Sequence, residues 1–226
     1  MNDRMIADLL VVLLVIYATS LHEMAHAYVS TWLGDPTPGR HGRLTWNPIP
    51  HLSPVMTAII LPLLLYVSSG GSRLFILALT PIDPTKYKRP LRDRALVSGA
   101  GPASNFLITA LMLAVMHIPG VIAYSYNPNS DNYGPGNWTT MVLPSAAYWI
   151  YIMGFFNLMP LPPLDGYGIF RGLIPLHLRR TADDFSRSQL SFLFVFVVAG
   201  FLFQYVRDPI DDLYWRVLMP HARLME

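Results

Sequence analysis

Long apolar runs separated by short polar segments make up most of this chain. A helix rises about 1.5 Å per residue, so about 20 apolar residues are enough to cross the hydrocarbon core of a bilayer. Four runs have about that length, although the last is short: residues 5–32, 95–118, 141–159 and 190–206. The pattern predicts an all-α polytopic membrane protein with four to six transmembrane helices.

A fifth apolar stretch, residues 55–80, is interrupted by the sequence SSGGSR. Its two halves hold only about 26 residues together, too few to cross the bilayer twice. We expect a re-entrant segment that turns at Gly70 and Gly71, since irregular backbone is tolerated at membrane depth where protein buries it. The alternative is one tilted span, with the first helix reversed in orientation. The sequence GRLTW at 42–46 predicts a small membrane-associated β element.

Basic residues in the connections indicate how the helices are oriented. The loop PIDPTKYKRPLRDR carries five lysines and arginines, whereas the loop NPNSDNYGPGN carries none. Cytoplasmic loops are enriched in lysine and arginine, so the first loop is predicted to be cytoplasmic and the second external. Arg40 and Arg43 follow the first helix, which is therefore predicted to run inward from an external N-terminus.

Composition supports a membrane protein and argues against several other classes. Hydrophobic residues make up 53% of the chain, charged residues make up 13%, and the mean hydropathy is +0.37. Soluble domains carry about 25% charged residues. The net charge of +2, spread over scattered basic residues, argues against nucleic acid as a partner. Because the chain has no cysteine, it can form neither a disulfide framework nor a thiolate metal site.

Three ionisable residues interrupt the first apolar helix in the sequence SLHEMAH. His22, Glu23 and His26 form the pattern H-E-x-x-H, in which both histidines lie on one face of a helix and can bind one ion. Ionisable groups at membrane depth are costly and usually mark a functional site. A zinc hydrolase needs this arrangement: two histidines and one further ligand leave a position for water, and the glutamate accepts its proton.

The third ligand predicted from the apolar segments is Asp165, in NLMPLPPLDGYGIF. It is the acidic residue that lies outside the obvious loops and ends. Three nearby prolines deny the backbone its helical hydrogen bonds, so the helix that begins at Met141 must unwind before Asp165. Asp165 then lies at the cytoplasmic end of an inward-running helix, at about the depth of His22 and His26.

Three motifs together resemble the site-2 protease family of intramembrane zinc metalloproteases: HEMAH at 22–26, GPASN at 101–105 and NLMPLPPLDG at 157–166. The resemblance covers the chain from about residue 10 to residue 172 and matches the family's short form, without a PDZ or regulatory domain. It implies that His22, His26 and Asp165 bind one Zn²⁺ per chain and that Glu23 is the catalytic base.

The third motif also suggests residues that contact the substrate. In the family, the asparagine and prolines before L-D-G lie beside the catalytic centre. The resemblance therefore implies that Asn157, Pro160 and Pro162 bind the extended substrate. Asn157 is in addition a candidate for stabilising the oxyanion that develops on the scissile carbonyl.

Other residues of the motifs are expected to be structural. Gly101, Pro102 and Asn105 are assigned to support of the fold, with Asn105 bonding across a helix interface that Gly101 keeps close. The segment GRLTWNPIPHLSP is similar to one that often ends in H-x-D-P in the short forms. Ser53 stands where the acid would be, so His51 is interpreted as a surface or interfacial residue rather than a ligand.

The function favoured by the sequence is an intramembrane zinc endopeptidase. It would hydrolyse peptide bonds in or near transmembrane segments of other membrane proteins, within the lipid bilayer and without a nucleic-acid partner. A prenyl-protein type zinc protease would need a further helical glutamate as ligand, and Glu23 and Glu226 are the only glutamates. The remaining alternative is a catalytically inactive membrane scaffold or a metal-binding carrier, in which Glu23 would be dispensable.

All 226 residues are expected to form one integral membrane domain. The catalytic core is predicted to cover about residues 5–175, and a C-terminal helix and tail to cover 188–226. A prokaryotic plasma (inner) membrane is the expected location, with the active site toward the cytoplasmic side.

Overall fold

A computed structural model describes residues 3–51, 80–118, 138–186, 188, 191, 198, 200–214 and 216 of the chain. These residues are mostly helical and include no β-strand. Several sequence predictions lie wholly or partly outside the described residues: the re-entrant segment at 55–80, the polar loop at 127–137 and the fourth predicted span at 190–206. The count of four to six spans therefore stays a prediction.

The described helices follow the predicted order of apolar runs. In chain order they are α1 (Asp3–Trp32), α2 (Thr37–Arg40), α3 (Pro90–Met116), α4 (Trp138–Asn157), α5 (Asp165–Phe170), α6 (Leu176–Ser186) and α7 (Gly200–Leu213). Short 3-10 turns occur at Ile49–His51, Pro84–Lys86 and Arg171–Leu173. The three longest helices, α1, α3 and α4, coincide with the first three predicted spans to within a few residues.

Among the described residues, two helices are long and apolar enough to cross a membrane, Ile6–Trp32 and Pro90–Met116. Together with the apolar composition, they indicate a membrane protein. Helix α4 ends at Asn157, where the prolines at 160, 162 and 163 prevent its continuation, because proline has no backbone N–H to donate.

Helices α1, α3 and α4 pack against one another around the region that holds the ionisable residues. Ala146 and Ala147 of α4 are completely buried, and Ile150 is 1% exposed. Small side chains let helix backbones approach closely, which is how transmembrane helices gain packing energy when lipid itself is apolar. The C-terminal helix returns to this core, since Tyr214 is fully buried and its hydroxyl donates to the carbonyl of Pro144.

The predicted β element at 42–46 is wrong, because this segment forms turns and bends. Gly42 has a φ of +67°, in the left-handed region that a strand does not use. The hydroxyl of Thr45 accepts from the N–H of Asn47, and the side chain of Asn47 accepts from the N–H of Ile49. Such local side-chain bonds compete with strand pairing, so the backbone curls instead of extending.

Candidate metal centre

The histidines of the first motif are placed by α1. His22 and His26 are one helical turn apart, each is 5% exposed, and their rings meet edge to face with centroids 4.7 Å apart. Residues four apart in a helix lie on the same face, so this proximity follows from the local sequence alone.

Asp165 reaches the two histidines from a separate helix, α5. It is the first residue of α5, after the proline-containing connection that follows α4. Gly166 packs directly against the backbone carbonyls of Leu158 and Met159, and a Cβ at this position would overlap them. The glycine after Asp165 therefore lets the connection fold tightly enough to present the aspartate to α1.

The ligand atoms of these three residues converge. The Nε2 of His22 lies 3.1 Å from Asp165 Oδ2, and the Nε2 of His26 lies 3.3 Å from Asp165 Oδ1. The two Nε2 atoms are 3.1 Å apart. One possible ligand atom from each residue lies within 4.8 Å of the others, and this is the metal-compatible group of histidine and acidic residues found in the described part of the chain.

Proton positions explain why these atoms need a cation between them. The Nδ1 of His26 lies 2.7 Å from the carbonyl of Val97, so it donates its proton there. In the neutral ring, Nε2 then carries a lone pair that faces a carboxylate oxygen. Asp165 Oδ2 is buried and has no hydrogen-bond partner among the described residues, despite its closeness to His22. The lone pair of His26 and the carboxylate oxygen it faces repel each other unless a positive charge lies between them.

The distances fit a zinc ion. Ligand atoms about 2.0–2.2 Å from a tetrahedral ion are separated from one another by about 3.3–3.6 Å. The two Nε2 atoms are 3.1 Å apart, close to that value, and each lies 3.1–3.3 Å from one oxygen of Asp165, His22 from Oδ2 and His26 from Oδ1. Two histidines and one carboxylate are also a donor set that catalytic zinc sites use, with the fourth position left for water.

Helix α3 packs against both histidines. Gly101 lies against the rings of His22 and His26, and a Cβ there would overlap both Nε2 atoms. Pro102 follows within the same helix and denies a helical hydrogen bond to the carbonyl of Ser98. The carbonyl of the preceding residue, Val97, accepts a hydrogen bond from Nδ1 of His26. Gly101 thus leaves space for the rings and Val97 supplies an acceptor, two roles that the sequence analysis missed.

Glu23 is 6% exposed and has a hydroxyl partner that the sequence analysis also missed. The Oγ1 of Thr80 donates to Glu23 Oε2 at 2.6 Å. The same hydroxyl oxygen lies 3.0 Å from the backbone carbonyl of Glu23.

The residues expected to contact substrate lie around the connection between α4 and α5. Asn157 is the last residue of α4, is partly buried, and donates through Nδ2 to the carbonyl of Met153 at 3.1 Å. Pro160 is exposed, and Pro162 is partly buried. These positions are compatible with an open connection beside Asp165, and their role in substrate binding stays a prediction.

Two other expectations need correction. Asn105 is fully buried, but neither of its amide atoms has a hydrogen-bond partner in the described part of the chain, so the expected bond across the interface is not found there. The facing residue, Gly154, packs against the Asn105 Cβ and has no side chain to offer a partner. His51 is 1% exposed, not a surface residue, because its ring is held inside the 42–51 loop by the carbonyl of Thr45 at 2.9 Å.

A second carboxylate cluster lies next to α5. Asp183 of α6 accepts hydrogen bonds from the Tyr167 hydroxyl at 2.7 Å and from Arg171 Nε at 2.9 Å, and Arg94 Nη1 lies 3.4 Å away. The Arg171 hydrogen bond, with those of Tyr167 and the charge of Arg94, outweighs burial and lowers the pKa of Asp183 to about 2. The cluster ties α6 to the start of α3 and to the helix that begins with Asp165.

Two curated proteins are similar to this chain. "Putative zinc metalloprotease YwhC" of Bacillus subtilis (strain 168) is 34% identical over 194 residues, which cover 82% of this chain and 79% of that protein. "Putative zinc metalloprotease Rip2" of Mycolicibacterium smegmatis (strain ATCC 700084 / mc(2)155) is 28% identical over 161 residues, which cover 66% of this chain and 51% of that protein. No protein-family model and no solved structure matches the chain.

Proposed function

The chain belongs to the family of zinc metalloproteases that includes YwhC, and on that premise we propose that it is an intramembrane zinc endopeptidase of the site-2 protease type. Its proposed substrates are membrane proteins that are cut in or near a transmembrane helix. The proposal rests on one observation above all: ligand atoms of His22, His26 and Asp165 converge among buried apolar helices.

In this proposal His22, His26 and Asp165 hold one zinc ion and Glu23 is the general base. Bound zinc supplies Lewis-acid activation of a water molecule and of the scissile carbonyl. Glu23 accepts a proton from the attacking water and delivers it to the leaving amine, so the peptide C–N bond breaks after the new C–O bond forms. The surrounding helices exclude bulk water, which strengthens each of these electrostatic interactions.

Substrate binding is assigned to the connection after α4. An amide nitrogen carries two hydrogens, and one hydrogen of Asn157 is used by the carbonyl of Met153. The proposal assigns the other to the substrate carbonyl as negative charge develops on its oxygen. Pro160 and Pro162 keep this stretch from forming a helix, which leaves room for an extended substrate.

The proposed setting is a prokaryotic plasma membrane, with the site toward the cytoplasm. The basic stretch at 81–94 supports this orientation, because its Arg94 lies 3.4 Å from Asp183, which also bonds Tyr167 of the helix that begins with Asp165. A substrate helix would have to unwind locally at this depth to expose its scissile carbonyl.

Metal content and cleavage measured on the same preparations test the proposal. The chain is purified in detergent, its zinc is measured by mass spectrometry, and cleavage of a single-span membrane substrate is followed on gels. The native chain is compared with Glu23→Gln and Asp165→Ala. Asp184→Ala is the control, because Asp184 is an exposed aspartate of α6.

We expect about one zinc per chain in the native protein, in Glu23→Gln and in Asp184→Ala, and much less in Asp165→Ala. Cleavage should fall at least about 100-fold in Glu23→Gln, the range for loss of a general base, and should be unaffected in Asp184→Ala. Cleavage that survives in Glu23→Gln would remove the protease assignment and leave a scaffold or carrier as the better account.

A further inference from the structure

A buried polar cluster lies just beyond the end of α1, and the proposed reaction does not use it. Asp35 and Ser30 are fully buried, and Tyr87 is 5% exposed. Ser30 lies near the end of α1, Asp35 follows that helix, and Tyr87 lies in the connection to α3. Burying a carboxylate is costly unless it is paired or hydrogen-bonded, so this cluster calls for an explanation.

Asp35 is the centre of the cluster. Its Oδ2 accepts from the Ser30 hydroxyl at 3.0 Å and from the N–H of Asp83 at 2.8 Å, and its Oδ1 accepts from the N–H of Thr37 at 2.9 Å. Burial raises the pKa of Asp35, but these hydrogen bonds outweigh it and lower the pKa below its ordinary value. The carboxylate is therefore charged, and hydrogen bonds to a charged group are the stronger kind.

The cluster attaches the connection before α3 to the end of α1 and to the residues just after it, at two points. At the first point, the N–H of Asp83 donates a hydrogen bond to the Asp35 carboxylate. At the second, the Tyr87 hydroxyl lies 2.8 Å from the Ser30 hydroxyl. Thr80 lies three residues before the first attachment, and its hydroxyl reaches Glu23. The segment 80–87 thus runs beside α1, held at Tyr87 and Asp83, with Thr80 at the carboxylate.

The hydroxyl of Thr80 has one proton and two nearby oxygens of Glu23. The carboxylate Oε2 is closer, at 2.6 Å against 3.0 Å for the backbone carbonyl, and it carries charge. Donation to Oε2 is therefore favoured. Within the described residues no other group donates a hydrogen bond to this carboxylate.

We propose that Thr80 is a positioning residue for Glu23, and that the Asp35 cluster serves to hold Thr80 in place. Thr80 binds Oε2 and restricts rotation of the carboxylate, so that Oε1 is the oxygen presented to the attacking water. This inference rests on the proposed function, since a general base needs a defined orientation only if the chain is a hydrolase.

Two substitutions at Thr80 separate the hydroxyl from the shape of the side chain. Thr80→Val keeps the branched shape and removes the donor, whereas Thr80→Ser keeps the donor. Thr85→Val is a matched control, because Thr85 lies in the same connection and its hydroxyl also donates to a carboxylate, that of Asp83, at 2.6 Å. Each variant is purified in detergent, and its kcat, KM and zinc content are measured.

For Thr80→Val we expect kcat to fall about 10- to 100-fold, the range for a lost hydrogen bond to a charged group, with KM within about twofold and about one zinc per chain. Thr80→Ser should recover kcat to within about threefold of the native value. Thr85→Val should behave as the native chain does. Loss of zinc in Thr80→Val, equal impairment in Thr80→Ser, or native kcat in Thr80→Val would each overturn the inference.

The supporting role of Asp35 is tested by combining substitutions. If Asp35 acts through Thr80, Asp35→Asn lowers kcat, and the double variant with Thr80→Val is no slower than Thr80→Val alone. Fully additive losses would overturn this part. A native chain that cleaves no better than Glu23→Gln would defeat the proposed function, whereas an active native chain matched by Thr80→Val would defeat only the role of Thr80.

Discussion

Asp165 and Asp183 are neighbouring aspartates with opposite surroundings. Asp165 faces two histidine nitrogens, and its Oδ2 has no hydrogen-bond partner among the described residues. Asp183 is bonded by Arg171 and Tyr167. A fully bonded carboxylate stabilises the fold, while one whose lone pairs meet those of other ligands is arranged for an ion. The difference separates a structural cluster from a candidate metal site more clearly than either burial or charge does.

The largest effect is expected from Asp165→Asn. Replacing one carboxylate oxygen by an amide removes the anionic ligand, so zinc affinity should fall at least about 100-fold. Without metal, the Asp165→Asn variant should unfold at the same temperature as the metal-free native chain or at a higher one. The reason is that the substitution removes a buried charge that has no hydrogen-bond donors. Competition with a chelator measures the affinity, and thermal unfolding in detergent measures the stability. A less stable metal-free variant would show that Asp165, like Asp183, supports the fold.

Gly101→Ala should be next in size. The added methyl group overlaps the Nε2 atoms of His22 and His26, so we expect zinc affinity to fall about 10- to 100-fold. Gly99→Ala is the matched control in the same helix, since a Cβ at Gly99 contacts nothing within 4 Å. The control should gain up to about 1 kcal/mol in stability and keep its zinc. Equal zinc binding in both variants would contradict the packing described for Gly101.

Asp183→Asn should change stability more than metal binding. The charged partners of Asp183 would lose their counter-ion, which should lower the free energy of unfolding by about 1–2 kcal/mol for a partly exposed cluster. Zinc affinity should fall less than in Gly101→Ala, because Tyr167 can still hold α5 by packing. Thermal unfolding and chelator competition report the two quantities. Asp184→Asn is the control, and a similar loss of stability there would refute the distinction.

The smallest effect on stability is expected from lowering the pH. The pKa of Asp183 is about 2 in the folded chain and 3.8 as the ordinary value. Because the folded pKa is the lower one, its contribution to stability is complete above about pH 4 and is lost as the pH falls through about 2. Unfolding temperatures of the native chain and Asp183→Asn should therefore converge over this interval. Curves that stay parallel would show that folding does not lower the pKa of Asp183.

Part of the fold and site could be predicted because it depends on local periodicity. The lengths of α1, α3 and α4, the end of α4 before the prolines and the shared face of His22 and His26 all follow from spacing along the chain. Asp165 was found because few acidic residues interrupt the apolar segments. The turn at 42–46 was missed because single side-chain bonds to the backbone, such as that of Thr45, decided its shape.

By itself, the sequence determined the membrane-length helices and the identity of the candidate ligands, since hydropathy and helical spacing are properties of neighbouring residues. Only the tertiary structure decided what each carboxylate meets. Thr80 lies 57 positions from Glu23 along the chain, and Val97 lies 71 positions from His26. Contacts of this kind join one hydroxyl or one backbone carbonyl to a distant side chain. Such contacts leave no periodic signal in the sequence, so only the folded structure shows them.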